Sequence, residues 1–343
     1  MYIQNKLLKK YISYWLAIMF CVVSIMIIVG GLTRLTDSGL SITQWQLFSG
    51  VFPPLNDEQW IEYFNLYKEI PEYRLQNYLM TLDQFRIIFW WEFVHRFLGR
   101  LIGIFFLIPL IFFSFKLGFN KTKNLFLIFF LICLQGFIGW YMVVSGLIDR
   151  VDVSHYRLSL HLVLAFIILS LIFWNFLQYK EINNSSKKIK NRLPIVFLLL
   201  IFLQIVIGAF VSGMDAGQIY NTWPLMGSSY FPDDNSVLNL LNISVFNDPS
   251  LVQFLHRNLA YFIIFFYLII FITVYKNKLS FFFKLINIVG LLLFLQIILG
   301  ILTLLFATHI VVASMHQINS IFLVSSSIYL VYLNSNINLQ PLD

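Results

Sequence analysis

The chain has 343 residues, of which 59% are hydrophobic and 11% charged, with a formal net charge of +7. Its apolar residues gather in blocks long enough to cross a bilayer as helices, which excludes a soluble globular protein. The surplus positive charge sits in alternate loops, so it reads as membrane orientation and not as a nucleic-acid footprint.

In chain order, Lys6, Lys9 and Lys10 precede a first span at 11–32. That span is too long for a signal-peptide core and no Ala-x-Ala-like site follows it, so it is expected to remain; with no Arg/Ser-rich amphipathic leader before it, a bacterial plasma (inner) membrane fits better than an unprocessed mitochondrial precursor, a mature organelle protein being the alternative. A long outer loop covers 36–88. Within it Glu58 to Tyr67 sets Trp60, Phe64 and Tyr67 against Glu58 and Glu62, an amphipathic stretch that fits a lid on the membrane surface or a plain interfacial connector. Spans at 89–115 and 122–145 are separated by Lys116 and Lys121, with Lys123 at the start of the second. The span at 156–178 leads into a basic loop, 179–192. Span 193–212 leads into an outer loop, 213–251, that has Asp215, Asp233, Asp234 and Asp248 but no lysine or arginine. Spans at 252–275, 282–305 and 309–333 complete eight, with Lys276, Lys278 and Lys284 after the sixth. The basic loops, and both termini with them, are expected in the cytoplasm. Cys21 and Cys133 fall inside spans, where a lone thiol behaves as a small hydrophobe.

The two halves resemble each other. Gly30, Asp37, Gly39, Trp45 and Pro54 match Gly208, Asp215, Gly217, Trp223 and Pro232 at a constant offset of 178. Glu92-Phe93-Val94-His95-Arg96 matches Gln253-Phe254-Leu255-His256-Arg257 at an offset of 161, and Leu134, Gln135 and Gly139 match Leu295, Gln296 and Gly300 at the same offset. In the fourth helix of each half the shared feature is a histidine, His161 against His316. A unit of four spans is even, so both copies enter the membrane in the same sense and the repeat is parallel. The expected fold is all-α, eight transmembrane helices as two four-helix bundles, with domains at 1–180 and 181–343.

A histidine inside a span is costly unless it has a role, and His95, His161, His256 and His316 lie at matched depths, about 7 to 11 Å in from the outer ends of their helices at helical rise. Two neutral imidazoles facing each other across a bundle can hold a heme iron from opposite sides without adding charge to an apolar interior. Position +4 after each is small: Gly99, Ala165, Ala260 and Ser320. A small residue on that helix face leaves room for a flat macrocycle. Hydrogen-bonded packing between helices is the bland alternative, and zinc a weaker one, since no cysteine or carboxylate cluster completes either pair. His155 and His309, at helix ends, read as interfacial. Arg96 and Arg257 fit either heme propionates or snorkelling to headgroups.

One turn before the ligand histidine the halves differ, with Glu92 against Gln253. The i to i+3 spacing puts Glu92 on the face of His95, where a poorly solvated carboxyl suits proton transfer. A structural ion pair with Arg96, Arg34 or Arg100 is the competing reading. The asymmetry points to one reactive bundle and one electron-transfer bundle.

Three segments, Gly30-Gly31-Leu32-Thr33-Arg34-Leu35-Thr36 with Ser38-Gly39-Leu40-Ser41, Phe89-Trp90-Trp91-Glu92-Phe93-Val94-His95-Arg96, and Asp215-Ala216-Gly217 with Tyr220-Asn221-Thr222-Trp223-Pro224-Leu225-Met226, resemble the heme A synthase family. The resemblance spans nearly the whole chain and is closest to the branch without an outer-loop cysteine pair. It implies oxidation of one methyl of heme O to a formyl group by successive hydroxylations, giving heme A for cytochrome oxidase. It further implies heme O at His95 and His161, a resident heme b at His256 and His316, and Glu92 as the catalytic carboxylate. Implied partners are the farnesyltransferase that makes heme O and an electron acceptor that the sequence does not identify, and a homo-oligomer is compatible with the family. Rival functions for the same histidine pairs are a diheme b-type cytochrome working with a quinol, and a heme carrier.

Overall fold

A computed structural model describes residues 2–45, 49–148, 150–182, 187–189 and 192–335. Lys190 of the basic loop lies outside the described residues, as do Met1 and 336–343, the chain ends expected in the cytoplasm. Ten α-helices follow in order: α1 (Tyr2–Leu35), α2 (Asp57–Tyr67), α3 (Pro71–Leu75), α4 (Leu82–Leu117), α5 (Phe119–Gly146), α6 (His155–Tyr179), α7 (Leu193–Gly213), α8 (Pro249–Lys276), α9 (Ser280–Leu305) and α10 (Ile310–Asn334). Among the described residues no strand forms.

All but α2 and α3 are long and apolar enough to span a membrane, eight in all, and each covers one span expected from hydropathy. The helices overrun most of those spans by up to a few turns, notably α1, which begins at Tyr2 instead of 11, and α4, which begins at Leu82 instead of 89. Thr81 explains the early start: its side chain accepts from the Gln84 backbone N–H while Gln84 accepts from the Thr81 N–H, a reciprocal cap that closes the first turn. With 36 residues, α4 is about 54 Å long, well beyond the about 30 Å of hydrocarbon. The helix is therefore longer than a membrane crossing needs, and the end that α2 covers is the surplus available outside the hydrocarbon.

The amphipathic segment of the first outer loop, α2, packs on that end. Trp60, Phe64 and Tyr67 are buried, with Trp60 edge-on to Phe89 at 4.9 Å and Phe64 and Tyr67 beside Phe85 at 5.1 and 5.2 Å. Its apolar face meets protein instead of lipid, so α2 caps α4 and does not float as a lid. Leu40, Ile42, Val143 and Val153 join the same apolar cluster, which fastens the first outer loop to the helix ends below it.

Helices α1, α4, α5 and α6 pack as successive neighbours, with α6 returning to α1; α7, α8, α9 and α10 do likewise, with α10 returning to α7. Between these sets α6 packs on α7 and α10, and α1 on α10. Side chains reach across the junction: Gln317 Nε2 donates to Ile27 O at 2.8 Å, Ser159 Oγ to Val206 O at 3.2 Å, and the Tyr332 hydroxyl to Leu177 O at 3.3 Å. Gly31 makes the first possible, because a Cβ there would overlap the Gln317 amide.

Candidate functional site

His95, His161, His256 and His316 all line one continuous cavity of about 1260 Å³, larger than the about 300–1,000 Å³ of a pocket for one small molecule. Gly99, Ala165, Ala260 and Ser320, the small residues one turn after each histidine, line it too. His155 and His309 do not: His155 is buried against Phe210, with ring centroids 5.4 Å apart, and His309 is exposed at the start of α10.

Each cavity histidine rests on a glycine of the preceding span. A methyl added at Gly30 would lie 3.2 Å from His95 Nε2, at Gly139 2.9 Å from His161 Cε1, at Gly208 3.0 Å from His256 Cε1 and at Gly300 3.0 Å from His316 Cε1. Only bare backbone lets the rings sit this close. Three of the four also have a glutamine clasp, with the side-chain amides of Gln135, Gln204 and Gln296 each donating at 3.0 Å to the carbonyl oxygen of His161, His256 and His316 respectively. Met26 occupies the position equivalent to Gln204 in the first half, so His95 lacks a clasp from that position. The spacing i to i+4 of Gln135 with Gly139, and of Gln296 with Gly300, placed both on one helix face; that was the sequence signal for these seats, visible in the repeat but not interpretable without the facing helix.

The rings of His95 and His161 face each other with centroids 6.4 Å apart and planes at 89°. A metal–imidazole bond of about 2 Å on each side, plus the half-width of each ring, accounts for that gap. Nδ1 of His161 and of His256 is buried and has no hydrogen-bond partner among the described residues. Paired neutral nitrogen donors in an apolar cavity of this size fit heme iron.

Glu92 lines the cavity but is only 2% exposed. Oε2 accepts from Ser41 Oγ and Ile42 N, both at 2.7 Å, and Oε1 accepts from Arg96 Nε at 3.0 Å and Arg96 Nη2 at 2.5 Å. Of the arginines named as its partners, Arg96 is the one it pairs with. Ser41 is the residue here that the sequence did not single out. Arg96 also donates to Ile42 O at 2.8 Å and Gln44 O at 3.4 Å, and stands over the Trp45 ring at 5.1 Å. In the other half, Arg257 donates to Gln253 Oε1 at 3.1 Å, Tyr220 O at 3.0 Å and Thr222 O at 3.0 Å. Tyr220 and Thr222 are the equivalents of Ile42 and Gln44 at the 178 offset. Both arginines are thus engaged by the loop above them.

Arg34 joins the halves. It pairs with Asp37 at 2.6 Å and with Asp215, the repeat equivalent of Asp37, at 3.0 Å, approaches Asp152 at 3.8 Å, and donates to Ser212 O at 2.9 Å. Asp37 and Asp215 share a left-handed backbone, with φ of 47° and 50°.

A second carboxylate, Glu72 of α3, lines the cavity from the outer loop and is 3% exposed. The Tyr67 hydroxyl donates to its Oε1 at 2.9 Å and Asn77 Nδ2 at 3.4 Å, and no cation pairs with it among the described residues. Burial pushes its carboxyl up to about 8, against the Tyr67 hydrogen bond and reinforced by the negative charges of Glu92, Asp152 and Asp37. No sequence reading identified it, because a five-residue helix carries no periodicity that would reveal a buried face.

Comparison with known proteins agrees with this picture. The family model described as COX15-CtaA, cytochrome oxidase assembly protein, matches residues 13–328. A heme A synthase of Pelagibacter ubique is 50% identical over 338 residues, covering 98% of this chain and 100% of that protein. One of Rickettsia bellii is 40% identical over 96% of this chain and 100% of its own length. One of Parvibaculum lavamentivorans is 46% identical over 73% of this chain and 74% of its own length.

Proposed function

Because the chain belongs to the COX15-CtaA family of cytochrome oxidase assembly proteins, we propose that it acts as a multi-pass membrane oxidoreductase that converts heme O to heme A. The observation that carries this reading is an asymmetry: two matched histidine pairs share one cavity, and only the pair in the first half has a buried carboxylate one turn away. His95 and His161 hold the substrate heme O, and His256 and His316 hold a resident heme b. The chain divides accordingly into a substrate unit, 1–180, and an electron-relay unit, 181–343, a division supported by the closed neighbour pattern of each set of four helices.

When bound, the hemes supply the oxidising chemistry and the path for electrons. The protein's part is to fix and shield. The glycine seats and glutamine clasps hold the imidazoles, and apolar walls exclude water. Glu92 handles a proton at Oε2. Its Oε1 is tied to Arg96, but the Ser41 hydroxyl that donates to Oε2 has a second acceptor in Ile88 O at 3.3 Å. Turning that hydroxyl leaves Oε2 able to take a proton beside the reacting methyl. The farnesyltransferase that makes heme O is a fitting partner because the substrate is hydrophobic and reactive. The basic loops support an orientation with both termini in the cytoplasm, in which Asp37, Glu72 and Asp215 line the cavity from the outer side.

The test is pigment analysis by chromatography and mass spectrometry after expression with a heme O source, comparing the unmodified chain with Glu92→Gln. Heme A in the former, and loss or a stalled hydroxylated product in the latter, is the expected result. Only heme b in both, despite available heme O and an intact fold, would instead identify an electron-transfer cytochrome.

A further inference from the structure

Glu72 is a buried carboxyl that the mechanism above does not use, and its surroundings are unusual. It lies on the outer loop, outside the spans, yet it lines the same cavity as Glu92 and His95. The charged and titratable groups around it are Tyr67 of α2, Glu92 of α4, Asp37 after α1 and Asp152 before α6. Three of these are acids, two of them held by Arg34 (Asp37 and Asp152) and one by Arg96 (Glu92). Only Glu72 lacks a cation. A structural carboxylate at this depth normally has one.

The hydrogen bonds form a line leading outward. Asn77, half-buried and lining a separate small pocket with Gln76 and Gln84, donates from Nδ2 to the Tyr67 hydroxyl at 2.8 Å, and that hydroxyl donates to Glu72 Oε1 at 2.9 Å. Both donors converge on Oε1. The second half offers no match: its outer loop lines the cavity with Asp215, Gly217, Gln218 and Trp223, and Asp215 is paired with Arg34.

We propose that Glu72 is the proton-exchange group between the cavity of the first half and the outer aqueous phase, acting as a positioning residue behind Glu92. A proton taken up by Glu92 passes to the Glu72 carboxylate, and the carboxyl so formed releases it to outer water on the side of Asn77, which restores both carboxylates. No electrons move in this step. The inference rests on the first half being the reactive one, but the protonation it requires is measurable without any turnover.

The experiment is an infrared titration of the full-length protein in lipid nanodiscs, following the carbonyl band of a protonated carboxylic acid. A band that titrates with a midpoint near 8 and vanishes in Glu72→Gln is expected. Tyr67→Phe removes a donor that favours the charged form, so its midpoint should move upward. In turnover, the unmodified chain should slow about tenfold one pH unit below that midpoint, as the ionised fraction falls to about a tenth, and Glu72→Gln should lose this acid limb. A band unchanged in Glu72→Gln, or a midpoint unmoved in Tyr67→Phe, overturns the assignment of the proton to Glu72. An acid limb that persists in Glu72→Gln overturns its role in exchange. Absence of heme A with the infrared result intact would instead count against the proposed reaction.

Discussion

The joint between helix and outer loop is built twice in this molecule, once around Glu92 and once around Gln253, and the two versions run their hydrogen bonds in opposite directions. Glu92 accepts from Ile42 N, while Gln253 Nε2 donates to Ala216 O at 2.9 Å and to Tyr220 O at 3.2 Å. Each then receives an arginine four residues on, and each arginine reaches equivalent loop carbonyls. The second joint shows that a neutral amide is sufficient to fasten the loop. Holding the loop therefore does not by itself require a carboxyl at position 92, which is consistent with the role proposed for Glu92 in proton transfer.

Removing a ligand is the most severe way to test that division. His256→Ala should abolish the pigment that co-purifies with the protein, whereas His95→Ala should leave it visible while eliminating heme A; loss of the same pigment in both would merge the two units into one. Glu92→Gln ranks next. Its product yield should fall by at least about 100-fold, the lower range for a lost acid–base group, while thermal unfolding should cost only about 1–3 kcal/mol, because an amide Nε2 there would face the Ile42 N–H donor while Oε1 still receives Arg96. A large fall in stability would return Glu92 to a structural role. The reciprocal change, Gln253→Glu, points a carboxylate at two carbonyl oxygens and should cost about 1–3 kcal/mol in thermal unfolding with retained heme A synthesis. The mildest change is Gly30→Ala, where the clash with His95 is 3.2 Å. It should cost under about 1.5 kcal/mol and show mainly as a spectral shift of heme bound in the first half, and none from the second.

What the sequence made legible follows from the range of each signal. Spanning helices are decided by local apolar length, so all eight were readable. The four histidines were readable because hydrocarbon makes any imidazole conspicuous, and the repeat supplied their pairing. Glu72 was not, since its burial depends on α2 folding back over the start of α4, a contact between segments with no shared periodicity. For the same reason Glu58 to Tyr67 looked like a membrane-surface helix: amphipathicity reveals that a face will be covered, but not by what. Ser41 and the cross-half role of Arg34 depended likewise on which residues meet in space.

Arg34 has a consequence for how the two halves respond to salt. Its guanidinium fastens equivalent aspartates of the two halves, Asp37 and Asp215, above the cavity that holds both histidine pairs. Beneath it the two sets of helices meet through apolar packing and single hydrogen bonds, so among the described residues this outer tie alone is ionic, and raising salt should loosen the outer ends of the halves before it disturbs the packing below.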